Sequence, residues 1–281
     1  MNYFGRKTAA NTIALSVLTV LAVVFLLPIA LVLMNSFKSR LYISSAPFAF
    51  PTMETFVGFE NYIKGLNSSG FFVSFLRSVF VSVLSVVVII VCTSMASWFI
   101  VRVKNRFTKF LYVIFAFSMI VPFQMVMYTM TYVVQSIGFN TLPGIVIVYL
   151  GFGAGLSVFM FTGFVKAVPL EIEEAAEIDG CNPLQTYFRV VFPMLKPTAI
   201  TVSIIQAMWV WNDYLLPYLV LGTKHKTVPV AIQLAMQGAY GSTDYGGFMA
   251  MLVVSIIPII AFYISSQKYI IKGVVAGAVK G

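Results

Sequence analysis

Long apolar runs separated by short polar bursts set the pattern of this chain. The first uncharged run, Ile13–Met34, has 22 residues. At 1.5 Å per residue that covers a hydrocarbon core of ~30 Å. Val79–Val101, Phe110–Ile137, Pro143–Val165, Thr198–Val210 extending to about Leu221, and Phe248–Gln267 follow it. The pattern predicts an all-α polytopic membrane protein with six transmembrane helices. Phe71–Leu76 reads as an outer extension of the second span, with Arg77 snorkelling to the interface. Arg6 and Lys7 precede the first run as in a signal peptide, but the run is too long for one and no A-x-A site follows it. An uncleaved anchor, kinked at Pro28, is expected. The expected organisation is a first segment to residue 35, an external loop over 36–70, a five-span core over 71–267 with a cytoplasmic loop at 166–197, and a tail over 268–281.

Composition sharpens this. Of 281 residues, 60% are hydrophobic and only 10% charged, and the mean hydropathy is +0.95. A soluble domain needs about 25% charged residues to cover its surface, so that class is excluded. The net charge of +9 does not point to nucleic acid, because the cations lie mostly between apolar runs. With the N-terminus placed in the cytoplasm, twelve Lys and Arg fall inside and six outside, which predicts that both termini are cytoplasmic. The cluster Arg102, Lys104, Arg106, Lys109 is the strongest marker. It reads as a topology signal or as a site for anionic lipid.

Familiar catalytic chemistry is absent. No Gly-Lys dipeptide exists, so there is no P-loop, and the one histidine, His225, excludes HExxH. Cys92 and Cys181 form neither a CxxC pair nor an evident disulfide. No enzyme activity, metal site or cofactor of the chain's own is expected.

One segment is specific. Five of nine acidic residues, Glu171, Glu173, Glu174, Glu177 and Asp179, fall between Pro169 and Gly180. Proline at the start, an acidic first turn and a terminal glycine predict a short cytoplasmic helix. Ile172, Ala175 and Ala176 share one shallow face flanked by carboxylates. Two readings fit: a docking surface for another protein, or a helix lying back on the membrane or on the chain's own spans.

Glu174-Ala175-Ala176-x-x-x-Gly180, followed after nine residues by Val190-x-Phe192-Pro193, resembles the EAA loop of ABC importer permeases. The family usually has Ile and Leu where this chain has Val190 and Phe192. The resemblance extends over nearly the whole chain. Ser36-Phe37-Lys38-Ser39, Pro47-x-x-x-Pro51, Phe59-Glu60-Asn61-Tyr62 and Trp211-Asn212-Asp213-Tyr214-Leu215-x-Pro217 resemble carbohydrate-uptake permeases. Gly273-Val-Val-Ala-Gly277-Ala-Val-Lys280-Gly281 resembles the end of the shorter, maltose-type subunit. The resemblance implies the type I ABC importer permease fold in a prokaryotic plasma membrane. It implies a coupling role for Glu171, Glu174, Ala175, Ala176, Asp179 and Gly180, with Pro193 shaping the return to span five, and a tail with Gly277 and Lys280 that contacts the ATPase. It further implies a second, longer permease, two ABC ATPase subunits that hold ATP and Mg, an extracytoplasmic solute-binding protein and surrounding lipid. The expected function is import of a sugar or oligosaccharide. A non-sugar ABC permease and an ion-gradient-driven transporter are the alternatives.

Polar groups inside spans are costly and often functional. Asp213 is the 16th residue from Thr198, about 24 Å across. With Trp209, Trp211 and Asn212 it reads either as a wall of the translocation path, suited to sugar faces and hydroxyls, or as an interfacial belt in which Asp213 braces the span end. Gln124 counts to mid-span, where Pro122 is expected to bend the helix, and Tyr128 and Thr131 continue its stripe, for cavity lining or interhelical hydrogen bonding. Small residues in span two (Ser82, Ser85, Cys92, Ser94, Ala96, Ser97) and span four (Gly151, Gly153, Gly155, Gly163) are expected to serve packing.

Overall fold

The computed structural model describes residues 3–68, 70–237 and 244–278, with side chains described from 11 to 67, 70 to 236 and 244 to 267. Among these every regular element is a helix, with one isolated antiparallel bridge between Lys38 and Phe56. The helices are α1 (Tyr3–Asn35), α2 (Arg40–Ser45), α3 (Glu60–Ser68), α4 (Phe71–Arg102), α5 (Arg106–Ser118), α6 (Phe123–Ser136), α7 (Leu142–Val165) and α8 (Leu170–Ile178). After them come α9 (Pro183–Thr186), a π-helical turn (Tyr187–Val191), α10 (Phe192–Met194), α11 (Lys196–Asn212), α12 (Leu215–Leu221), α13 (Val228–Gln237) and α14 (Tyr245–Ala278).

Among the described residues, four helices are long and apolar enough to cross a membrane: Asn11–Asn35, Phe71–Arg102, Leu142–Val165 and Tyr245–Gln267. Two sharply bent pairs bring the number to as many as six. The first helix continues through Pro28, and its most apolar stretch buries nothing within the chain.

The breaks correct the simple span reading. Phe110–Ile137 is not one helix: Arg106–Ser118 and Phe123–Ser136 meet at 109°. Pro122 has no N–H for Ser118 and pushes Val121 out of the helical region, so α6 starts anew with Pro122 as its cap. Counting along a straight helix placed Gln124 mid-span; the break puts it in the first turn of α6. The fifth span also breaks. Asp213 is extended (ψ 122°) at the end of α11, and its Oδ1 accepts from the N–H groups of Leu215 (3.0 Å) and Leu216 (3.3 Å). Pro217 has no N–H to return to the Asp213 carbonyl, so the helix restarts as α12. Lys196–Asn212 itself lies at 77° to the preceding Pro183–Met194.

The chain divides into two compact units, Met1–Phe71 with Ala231–Ile257, and Phe72–Val230 with Pro258–Gly281. In the first, the loop after α1 is ordered by internal bonds. Asn61 Nδ2 donates to the carbonyls of Ser36 and Lys38, both at 2.8 Å. Phe37 packs against Phe56, Phe59 and Tyr62. Lys38 is buried, its ammonium donating to the Ala46 carbonyl at 3.1 Å; desolvation holds its pKa below the ordinary lysine range. Gly65 of α3 lies against Gly247 of α14, where an added Cβ would come within 2.9 Å of a backbone oxygen.

In the second unit, α7 is the central element. One apolar cluster joins Val81, Ile145, Tyr149, Val210 and Leu216; another joins Ile90, Phe161, Val165, Tyr187 and Val202. Small residues do the packing expected of them in part. Ser85, Ser94 and Ser97 are fully buried, whereas Cys92 is exposed. Gly153 sits against Ile89 and Gln206, and Gly155 against Ser118 and Phe115, while Gly151 and Gly163 face open space.

An alanine Cβ at Gly155 would meet the Phe115 carbonyl oxygen at 2.8 Å. Gly155→Ala should therefore lower stability by about 1–3 kcal/mol, read as a lower melting temperature in detergent. Gly163→Ala should leave it unchanged or slightly higher. Equal melting of the two variants would refute close α5–α7 packing.

Candidate functional site

The site grows from the loop between α7 and α11. Pro169, at φ −59° and ψ 134°, opens α8, and Glu171 and Glu173 stand in its first turn, where the helix dipole favours them. Gly180 closes it at φ +84°, a conformation that L side chains rarely adopt. There the N–H of Cys181 returns to the Ala176 carbonyl at 3.0 Å. Asn182 and Gln185 then cap each other's backbone N–H groups, both at 2.9 Å, and start α9. The π turn comes just before Pro193, which cannot donate to the Arg189 carbonyl. The wider turn routes Phe192 N–H to Tyr187 instead.

The loop is fastened to one face of α4. Glu173 is 4% exposed. Its Oε1 accepts from Arg102 Nη2 at 2.6 Å and from Arg102 Nε at 3.0 Å. Its Oε2 accepts from Trp98 Nε1 at 2.8 Å. Arg102 also donates to the Val168 carbonyl at 2.9 Å. One turn pair earlier, the Tyr187 hydroxyl meets Ser94 Oγ at 2.5 Å, and its ring lies 5.5 Å from that of Trp98. Ser94, Trp98 and Arg102 are spaced by four, a single stripe on α4.

This orientation revises the expected small face. Ala176 is buried beside Glu173, while Ile172 and Ala175 are exposed. Ile178 is 87% exposed, and Glu171, Glu174, Asp179 and Gly180 are exposed with it. The helix thus keeps an acid inside and an isoleucine outside. Glu173, Trp98 and Tyr187 were not singled out as site residues from sequence, and Arg102 was read only as part of the basic cluster. The detectable signals were Glu173 and Ala176 at i, i+3 and the i, i+4, i+8 stripe on α4. Pro193 lies in α10, Gly277 lies within α14, and Lys280 lies outside the described residues.

The other candidates divide. Asp213 braces the break in span five: besides capping α12, its Oδ2 accepts from the Tyr149 hydroxyl at 3.1 Å. Trp209 stands edge-on to Tyr149 at 5.3 Å, and Trp211 edge-on to Phe75 at 5.7 Å. Trp211 also lines an apolar cavity of about 300 Å³ with Val79, Met208 and Phe262. Asn212 bonds back to the Met208 carbonyl at 2.7 Å. Gln124 and Tyr128 are exposed on α6.

Residues 88–275 match the family model described as "Binding-protein-dependent transport system inner membrane component". The chain belongs to that family. The permease is 34% identical, over 93% of its own length and 94% of the relative's, to the probable starch degradation products transport system permease protein AmyC of Thermoanaerobacterium thermosulfurigenes. It is 37% identical, over 100% and 98%, to the multiple sugar-binding transport system permease protein MsmG of Streptococcus mutans. Its fold is that of a chain in the crystal structure of a bacterial ABC transporter involved in the import of the acidic polysaccharide alginate, with a TM-score of 0.77 and 22% identity over 96% and 98% of the two chains. The permease is a multi-pass inner-membrane transport component.

Removing one partner from a buried ion pair leaves the other uncompensated, at about 3–5 kcal/mol, less where one partner keeps some exposure as Arg102 does. Arg102→Ala and Glu173→Ala should each lower the melting temperature, and the double variant should lose clearly less than the sum. Strict additivity would show that the pair does not hold α8.

Proposed function

We propose that this permease is one of two pore-forming subunits of an ATP-driven importer for a sugar or oligosaccharide. An extracytoplasmic solute-binding protein delivers the solute. A second, longer permease completes the pore, and two ABC ATPases bind ATP and Mg in the cytoplasm, where both termini of this chain lie. The observation that carries the reading is α8: an acid-rich helix with an exposed isoleucine, clamped by Glu173 to the end of a membrane-length helix. Such a helix has a free face for a partner and a fixed face for a lever. The names of the relatives, which include transport of starch degradation products and of melibiose, raffinose and stachyose, support a sugar as the solute.

In this reading, Ala175 and Gly180 give a surface without bulk, Ile178 supplies apolar contact, and Glu171, Glu174 and Asp179 meet cations of the ATPase. When the two ATPases close on ATP, α8 moves with them. The bonds from Glu173 and Tyr187 carry that displacement to α4, and the chain through Pro193 carries it to α11. Hydrolysis returns both. Gly277 and Lys280 contact the ATPase pair. Trp209, Trp211, Asn212, Gln124 and Tyr128 remain the candidates for the translocation path, with Asp213 setting the geometry of its helix break.

The test is affinity purification of the assembled transporter with an Ile178→Glu subunit. The ATPase should be lost and the second permease kept. Retention of the ATPase at the wild-type level would remove α8 as its dock. Gly180→Val should still assemble, because a Cβ there meets nothing within 4 Å, but strain of about 1–2 kcal/mol at positive φ should displace the loop's end. Its uptake of labelled oligosaccharide should fall several-fold. Wild-type uptake would sink the account of the loop, and uptake that survives ATP depletion would sink the ATP-driven reading as a whole.

A further inference from the structure

Three helix ends come together on the side of α4 that carries Arg102: the end of α4, the start of α5 and the end of α7. Between them lies a pocket of about 740 Å³. Its polar wall carries Arg102, Lys104, Lys109 and Lys166, and its apolar wall includes Tyr112 and Val113. No acidic side chain lines it among the described residues. Of the four cations, Arg102 alone is in an ion pair within that set, through Nε and Nη2. The three lysines therefore line one concavity with no acidic partner among the described residues, an arrangement that favours a bound anion.

The start of α5 adds to the same field. Its first turn holds no acid and carries Arg106 and Lys109. Cations there oppose the helix dipole. The local backbone is nonetheless well made, because Asn105 and Thr108 cap each other's N–H groups. The charges are thus placed on a stable helix start, against its own electrostatic preference.

A second feature selects among anions. Phe107, Phe110, Val113 and Phe117 are all exposed and fall on one side of α5, at i, i+3, i+6 and i+10. Val113 belongs both to this strip and to the pocket. An apolar strip that leads from a cationic pocket at the end of a span matches a molecule with an anionic head and hydrocarbon chains. A soluble anion would satisfy the lysines and leave the strip unused.

We propose that this pocket binds the phosphate headgroup of an anionic phospholipid, with the acyl chains running along the exposed face of α5. Basic pockets between spanning helices on the cytoplasmic side are suited to such headgroups. The site requires only that the permease is embedded in a membrane; it does not depend on which solute is carried or on how α8 is driven. Its consequence for the transporter comes through Arg102, whose guanidinium faces the headgroup on one side and holds Glu173 of α8 on the other.

The test uses the assembled transporter, exchanged in mild detergent into an equimolar mixture of phosphatidylglycerol and phosphatidylcholine and examined by native mass spectrometry. The wild type should retain phosphatidylglycerol in preference. The variant Lys104→Gln/Lys109→Gln/Lys166→Gln should lose at least about tenfold of that preference, since each lysine near an anionic lipid contributes on the order of fivefold. Lys224→Gln/Lys226→Gln, in the loop expected outside, should keep it. Equal retention by the triple variant, equal loss in the control, or displacement of the lipid by millimolar inorganic phosphate would each overturn the proposal. An independent measurement needs no change to the lysines. A fluorophore on Val113→Cys, in a Cys92→Ser/Cys181→Ser background, should be quenched more strongly by brominated phosphatidylglycerol than by brominated phosphatidylcholine at the same mole fraction. Equal quenching would also overturn it.

Discussion

The carboxylate of Glu173, almost wholly desolvated, is held by a guanidinium and an indole N–H from the helix it packs on. A buried charge is tolerated only when paired and fully hydrogen-bonded, so this one side chain fixes where α8 can sit. Once Glu173 faces α4, helical geometry decides the rest. Ala176 turns inward with it, and Glu171, Glu174, Ile178 and Asp179 turn out. The exposed face of the loop is set by what its buried face must satisfy.

A related constraint shapes the spans. In hydrocarbon every backbone N–H and C=O needs a partner, so a helix broken at membrane depth must supply substitutes. Asp213 does so for α12, accepting two N–H groups while Tyr149 satisfies its other oxygen. In the second break, Met119 and Ile120 bond back to Ala116 and Phe117 in tight turns before Pro122. Both breaks lie beside prolines, and both abut α7, whose Gly155 admits α5 and whose Tyr149 reaches span five. The small and polar residues of α7 thus serve the irregular parts of its neighbours.

Much of this was legible in the chain itself. Apolar runs of sufficient length, the short acidic helix between Pro169 and Gly180, and the bend at Pro122 follow from local rules about length, proline and helix ends. The EAA-like spacing around Gly180 pointed to the family that residues 88–275 match. What sequence did not reveal depends on rotation. Which side of α8 faces inward was decided by Arg102, some seventy positions away, and that residue's local context read as a topology signal. The 109° turn at Pro122 could be anticipated as a bend, but its size goes with tertiary packing, α5 against α7 and α6 against α12. Asp213 admitted both a path-lining and a bracing reading, and the N–H groups of Leu215 and Leu216 on its oxygen show the bracing.

The inverted polarity of α8 also bears on how such a subunit is made. Ile178 and, close behind it on α9, Leu184 stand in water when the chain is alone. Apolar surface of this kind is worth roughly 25 cal/mol per Å² once covered, and until then it invites non-specific association. A copy synthesised in excess over the protein that covers it carries an adhesive patch on its water-facing side. Balanced production of the partners is therefore a matter of solubility as well as of stoichiometry.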